Sequence, residues 1–382
     1  MQSLWNDTEA ATFGTDALGQ RVYTSRLLGR NPALVLHGGG NTSVKVTEKD
    51  YFGDSVDICY VKGSGWDLAT IEREGFAPVR MEALLKMAKL PTMTDEDMVL
   101  QQRAAMTNPN APAASIEAIL HASLPFKFVD HSHANAISAL TCAKDGEART
   151  KELFGSKVLV LPYVMPGFVL AKQVFEVLQK TDLRKEGIEG IKHGLFTFAD
   201  DAKASYEKHI ELVTKAEAYL ASKSVNQVNP VTEVKTDLLA LAKLRQLVSK
   251  TRGFPQIARL STSEAALTYA ALPNIADCGA RGPLTPDHSI RTKRIPAVLG
   301  EDHAASIQAF AASYESYFKA HASTQTMLDA APRFAIWPGN GIVSFGDTLK
   351  DAKIVADIAE STAATVALAE RTGGWAPLSE KD

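Results

Sequence analysis

Short apolar runs alternate with helical spacing over the first half of the chain. Ala33-Leu34-Val35-Leu36, Asp57-Ile58-Cys59-Tyr60-Val61, Lys127-Phe128-Val129-Asp130, Lys157-Val158-Leu159-Val160-Leu161 and Gly194-Leu195-Phe196-Thr197-Phe198 read as strands. Between them, Ser115 to Ala122 and Phe168 to Lys180 carry apolar residues at helical spacing. From Asn31 to about Ile210 this is the pattern of a layered α/β domain. Helical spacing then runs from Ala202 to Ser222, breaks at a polar stretch that reaches Thr236 and contains Pro230, and resumes to about Lys250. The break divides the chain into an expected domain over residues 1–225 and a C-terminal α/β region over 236–382. In that region Ala271 to Pro296 is rich in turn and basic residues, and Asp302 to Leu328 reads as one long helix. Strand character returns from Arg333 to Phe345 around a Pro338-Gly339-Asn340-Gly341 turn.

The two halves echo each other. Gly194 to Lys203 aligns without a gap on Gly341 to Lys350, each a β-run turning through an aspartate into a helix. At that offset His193 falls on Asn340, and His131 and His133 fall on Cys278 and Ala280. Two readings stay open: a degenerate second copy that has lost its imidazoles, or a chance likeness of two strand-turn-helix units.

Composition narrows the function classes. With 382 residues the chain can bury a large core, and a formal net charge of -3 with 22% charged residues argues against nucleic acid or an anionic membrane as partner. Three scattered cysteines, Cys59, Cys142 and Cys278, do not make a disulfide framework and point to a reducing compartment. The N-terminus has no basic and apolar leader, and no apolar run approaches the length of a membrane span, so a cytoplasmic location is expected.

Candidate chemistry centres on Asp130-His131-Ser132-His133, where two histidines one residue apart on a strand project to one face and can share a metal ion. His193, opening the Gly194 strand, would complete a three-histidine set that leaves a coordination position open for substrate, the arrangement of a catalytic zinc site. Asp130 is either a partner orienting His131 or a strand-end residue. Glu117, early in a helix among apolar neighbours, either favours the positive end of the helix dipole or serves as a general base in a poorly hydrated site. His121, one turn on, reads as a packed core histidine. Two glycine-rich segments, His37-Gly38-Gly39-Gly40-Asn41-Thr42-Ser43 and Lys62-Gly63-Ser64-Gly65, are each read as following a strand; together they suggest an oxyanion pocket, although neither is a P-loop or a dinucleotide fingerprint.

In this order the blocks Gly40-Asn41-Thr42-Ser43, Lys62-Gly63-Ser64-Gly65, Ser115-Ile116-Glu117, His131-Ser132-His133 and His193-Gly194 resemble the class II aldolase/adducin family, over about residues 30 to 220. The remainder, including Arg281 to Arg294, is similar to the aldolase part of bifunctional rhamnulose-1-phosphate aldolase/alcohol dehydrogenases. There a short-chain dehydrogenase follows; the chain stops about where it would begin, so no nicotinamide cofactor is expected. The resemblance implies an α/β/α layered sheet and a Zn2+ (or other divalent) ion on His131, His133 and His193. It also implies Glu117 as catalytic acid/base and a substrate phosphate held by Asn41, Thr42, Ser64, Gly65 and Ser115. The implied reaction is reversible cleavage of a ketose 1-phosphate to dihydroxyacetone phosphate and an aldehyde through a zinc-stabilised enediolate. Family members form tetramers with active sites at subunit interfaces, so a homo-oligomer is expected, although the segment after Ser222 departs from the smaller members. Alternatives on the same metal site are a dehydratase, epimerase or decarboxylase, and a non-catalytic adducin-like scaffold is a further one. The basic residues Arg281, Arg291, Lys293 and Arg294 are read as a solvated or inter-subunit strip in preference to phosphate ligands.

Overall fold

The computed structural model describes residues 1–192, 194–223, 234 and 237–380. It divides into two compact units: Met1–Ile137 with Glu147–Tyr219, and Ser138–Gly146 with Leu220–Asp382. No helix among the described residues is long and apolar enough to cross a membrane.

Seven strands build the sheet of the first unit: β1 (Asn41–Lys49), β2 (Ser55–Lys62), β3 (Phe76–Arg80), β4 (Phe128–Ser132), β5 (Val158–Val160), β6 (Gly190–Lys192) and β7 (Leu195–Ala199). Their order is β3-β2-β1-β4-β7-β6-β5, antiparallel throughout except for the parallel pair β5 and β6. Alternation along each strand sends successive side chains to opposite faces. One face carries Cys59 and Val61 of β2, Val129 of β4 and Phe196 and Phe198 of β7, packed with Ile119 and Leu120 of helix Ala118–Ser123. The other carries Val44 and Phe128 against Ala202, which opens helix Ala202–Lys223, and against Ala17 and Leu18 of helix Ala17–Gly29. Helices therefore cover both faces, the α/β/α layering that the family resemblance implies and a form of the layered α/β domain that the alternating pattern predicts.

The second face also buries a polar network. Arg21 forms a fully buried ion pair with Asp130 of β4 and donates to Val129 O (3.2 Å); Asp130 in turn accepts from Ser205 Oγ. Beside it, His209 Nδ1 pairs with Thr197 Oγ1 (2.9 Å) and Nε2 with Ser132 Oγ (2.6 Å). Thr197 donates to Ser205 O, so its oxygen accepts from His209 Nδ1–H, and the Ser132 hydroxyl donates to Nε2. Burial pushes the His209 imidazole down to about 4. Its folded value lies below the unfolded value of about 6.5, so the unfolded chain binds the proton first as pH falls. Stability is then full above about pH 6.5 and is lost toward pH 4, at roughly 1.4 kcal/mol per pH unit from this one residue. Urea unfolding midpoints measured across that window should fall in the native chain and fall less steeply in His209→Gln; identical slopes would remove His209 as the cause.

Two expected elements differ. Ala33 to Leu36 is no strand: Pro32 has no N–H to give a ladder, and Leu34 N and Val35 N both donate to Asn31 O, so the run turns back while burying Leu34 and Val35. The glycine-rich segment after it therefore leads into β1 and does not follow a strand. The helix expected from Asp302 to Leu328 is His303–His321, with Asp302 as N-cap, and ends with an extended Ala322.

In the second unit β8 (Ile257–Ser261), β9 (Ala297–Val298), β10 (Phe334–Trp337) and β11 (Gly341–Gly346) form a sheet of order β8-β11-β10-β9. Helix Leu349–Thr372, opened by a Thr348/Asp351 capping box, packs on β8 and β11, while Leu244, Val248, Ile307 and Phe310 cover Val343 and Phe345 from the other side. The β8/β11 ladder runs from Ile257↔Gly346 to Ser261↔Ile342, and the β4/β7 ladder from Phe128↔Ala199 to Ser132↔Leu195. With Leu195 set on Ile342, as the sequence echo requires, the partner of His131 is therefore Leu260, and His133 falls on Thr262. Cys278 and Ala280 are not the counterparts: Cys278 ends the short helix Ile275–Cys278, and the ungapped offset fails because the connection between the paired strands is longer in the second unit. The polar stretch taken as the domain break lies mostly outside the described residues.

Candidate metal and active site

β4 delivers His131, and the chain leaving it delivers His133, with ring centroids 4.8 Å apart and planes nearly perpendicular. Phe196, the ladder partner of His131, stacks on its ring at 3.9 Å. His131 Nδ1–H donates to Leu195 O (3.2 Å), which fixes the ring and aims Nε2 toward Glu117 Oε2, 3.5 Å away. Gly194 completes a cradle over both rings: at φ +57 it has no Cβ, and one placed there would come within 2.5 Å of His133 Cδ2 and 2.8 Å of His131 Cε1. His193 itself lies outside the described residues, and among the described residues no group of three metal-binding side chains is gathered.

Glu117 is the N-cap residue of Ala118–Ser123, yet its carboxylate makes no cap hydrogen bond. It is buried and accepts instead from Asn41 Nδ2 (2.6 Å). The register explains the meeting: Asn41 opens β1 directly opposite His131, so both side chains leave the sheet on the same face. Asp130, one position earlier, points to the far face and pairs with Arg21, so it does not orient His131.

The two glycine-rich segments meet through Lys62, a buried side chain whose Nζ donates to Gly38 O (2.7 Å). The chain at Lys62 to Ser64 also pairs with Ala113 to Ser115: Ser64 N donates to Ala113 O (2.8 Å) and Ser115 N to Lys62 O (3.1 Å). Ser64 and Gly65 are exposed, and Ser115 accepts from Glu117 N (3.3 Å), which seats this corner beside the carboxylate. Asn41 engages Glu117 and His121 through its two amide ends. Thr42 is turned away: opposite Asp130 in the ladder, it is fully buried on the far face and shares a hydrogen bond with Ser25 Oγ (2.8 Å). A strand cannot offer two adjacent side chains to one pocket, which is why Asn41 and Thr42 separate.

Sequence reasoning missed Lys62, whose place in the Lys62-Gly63-Ser64-Gly65 block was its only signal. It also read His121 as packing alone, whereas both ring nitrogens have polar partners. In the second unit Arg281 pairs with Asp277 and Glu370, Arg294 with Glu380, and Lys293 donates to Asp329 O and lies over the Tyr314 ring. Arg291 is exposed on helix Pro286–Thr292. These basic residues are thus mostly held by partners in their own unit.

The layered sheet that carries the paired imidazoles, with the buried carboxylate beside them, belongs to an aldolase fold, and the chain is a member of the class II aldolase/adducin family. Residues 19–220 match the Class II Aldolase and Adducin N-terminal domain, and residues 235–382 match the family described as Aldolase class II, second domain. The N-terminal class II aldolase domain of a conserved protein from Thermoplasma acidophilum is 44% identical over 58% of this chain and 99% of its own, with a TM-score of 0.52. The L-fuculose-1-phosphate aldolase of Thermus thermophilus is 18% identical over 53% of this chain and 95% of its own, with a TM-score of 0.33. An uncharacterized oxidoreductase of Bacillus subtilis (strain 168), YuxG, is 29% identical over the whole of this chain, which spans 58% of that relative's length.

Proposed function

We propose that this protein is a divalent-metal-dependent aldolase that reversibly cleaves a ketose 1-phosphate, of the rhamnulose-1-phosphate kind, into dihydroxyacetone phosphate and an aldehyde. The observation that carries the reading is the meeting of Glu117 with His131 Nε2 at the end of β4, inside the Gly194 cradle. Imidazole nitrogens suit zinc, and His131, His133 and His193 would hold it. When bound, the ion supplies electrophilic stabilisation for negative charge developing on substrate oxygens.

The chain's own groups do the rest. Ser64, Gly65 and Ser115, exposed or half-buried beside Glu117, would take the phosphate through hydroxyl and backbone donors, and Lys62 holds the two glycine-rich segments together. Remote binding of the phosphate places the reacting carbon against the carboxylate. In cleavage the hydroxyl proton on the departing carbon is released to solvent as the carbon–carbon bond breaks to the aldehyde, and Glu117, protonated from solvent, gives its proton to the carbon left behind; in synthesis it removes that proton and returns it to solvent, a contribution of roughly 10²- to 10⁴-fold. Burial and the Asn41 donor keep the carboxylate aimed at this position.

Release of dihydroxyacetone phosphate from a panel of ketose 1-phosphates, with and without chelator, tests the reading. Release should occur for at least one member, stop with chelator and return with zinc. Release undiminished in metal-free protein, or none from the whole panel, would remove it.

A further inference from the structure

We propose that His121 is a positioning residue that locks the side-chain amide of Asn41 with its Nδ2 toward Glu117. The proposal rests on the acid/base reading of Glu117 given above, and it adds a part that the metal and phosphate groups do not contain.

An amide has two unlike ends of nearly equal shape. Only the NH2 end attracts a carboxylate; the carbonyl end, turned toward Glu117 at 2.6 Å, would repel it. What decides between them is the atom on the other side, and that atom is His121 Nε2, hydrogen-bonded to Asn41 Oδ1. His121 is fully buried, and burial holds its pKa well below the usual histidine range, so the ring is neutral and one nitrogen donates while the other accepts. Nδ1 lies 2.8 Å from Ser43 Oγ, a hydroxyl able to donate. With Ser43 donating to Nδ1, Nε2–H donates to Asn41 Oδ1 and Asn41 Nδ2 donates to Glu117, so every hydrogen bond in the series points toward the carboxylate. The opposite tautomer reverses each bond and sets the Asn41 carbonyl against Glu117.

The backbone builds this series from two simple spacings. Asn41 and Ser43 are two apart on β1 and share a face, while Glu117 and His121 are four apart and joined by the backbone bond from His121 N to Glu117 O (3.0 Å). The ring closes: helix backbone, imidazole, amide, carboxylate. Phe196, which stacks on His131, also meets the His121 ring edge-on, so one aromatic side chain seats both histidines. A histidine present only for packing would need no particular nitrogen at Asn41.

Two replacements and one spectrum test the inference on the full chain loaded with zinc. His121→Leu keeps apolar bulk and deletes both nitrogens; His121→Gln keeps a donor that can reach Asn41 Oδ1. His121→Leu should retain zinc stoichiometry, keep KM within about twofold and lose roughly 10- to 100-fold in kcat, the scale of losing the hydrogen bond from Asn41 to the charged Glu117 carboxylate once the amide is free to turn. His121→Gln should recover most of that loss. Equal loss in both variants, or turnover unchanged in His121→Leu, would overturn the proposal. Nitrogen-15 shifts of His121 in the native protein need no substrate: a proton on Nε2 supports the series, and a proton on Nδ1 overturns it even if the leucine variant fails to fold. If the native protein cleaves no ketose 1-phosphate while Nε2 carries the proton, the reaction assigned above fails and the positioning role stands.

Discussion

Glu117→Gln should lower turnover by about 10²- to 10⁴-fold while leaving bound metal and phosphate affinity nearly unchanged. The replacement is close to isosteric, and the surroundings tolerate it: Asn41 Nδ2 can still donate to the remaining carbonyl oxygen of the side chain. His131 keeps its anchor, the bond from Nδ1–H to Leu195 O, which does not involve Glu117. What vanishes is the ability to accept and return a proton. The loss should therefore fall on kcat, with KM little moved, because the corner at Ser64, Gly65 and Ser115 proposed to hold the phosphate is intact. Steady-state kinetics alongside metal analysis of the purified variant check this. Native-like turnover with full metal would show that the base is elsewhere, and loss of metal together with turnover would make Glu117 part of the ion's own binding set.

Much of this site is legible in the sequence because it is local. The His131 and His133 pair stands out in the sequence as two histidines one residue apart at a strand, although β4 ends at Ser132 and His133 lies on the chain leaving it, and the Lys62-Gly63-Ser64-Gly65 turn sits at the end of the expected β2 run, where the chain does leave a strand. Glu117 is legible as a carboxylate in apolar company, but not as one bonded to Asn41, because that meeting depends on β1 lying antiparallel to β4 with Asn41 opposite His131. Nothing near residue 41 encodes that register. The same ladder sends Thr42 and Asp130 to the far face and separates them from the candidate site that their neighbours line. Ala33 to Leu36 misleads for another reason: a buried apolar tetrapeptide satisfies its core contacts equally as strand or as turn, and the Asn31 carbonyl collects the amides that a ladder would have used. The echo between Gly194 and Gly341 lines up two strands that are each the later member of an antiparallel pair, yet its fixed offset does not line up their earlier partners, since a connection between two strands can lengthen without disturbing their ladder.

Behind the candidate site, Arg21→Leu should destabilise the first unit by about 3–5 kcal/mol, the range for removing one partner of a buried ion pair. Both members are fully buried, and Asp130 would keep only the Ser205 hydroxyl of the two partners it has now. The Val129 carbonyl would lose its contact with Arg21 Nη1 as well. Asp130 adjoins His131 on a strand of five residues, so the strain of a stranded carboxylate is transmitted to the ring that faces Glu117. Metal affinity should therefore weaken with stability, although Arg21 lies on the opposite face of the sheet from the imidazoles. Pairing the change with Asp130→Asn separates the causes: the double variant should regain a large part of the lost stability, because the neutral amide needs no counter-ion. Urea unfolding of the two single variants and the double, with zinc titration of each, measures both effects. If Arg21→Leu costs under about 1 kcal/mol, the pair does not stabilise β4, and the rigidity of His131 must come from its stacking on Phe196 and its bond to Leu195 instead.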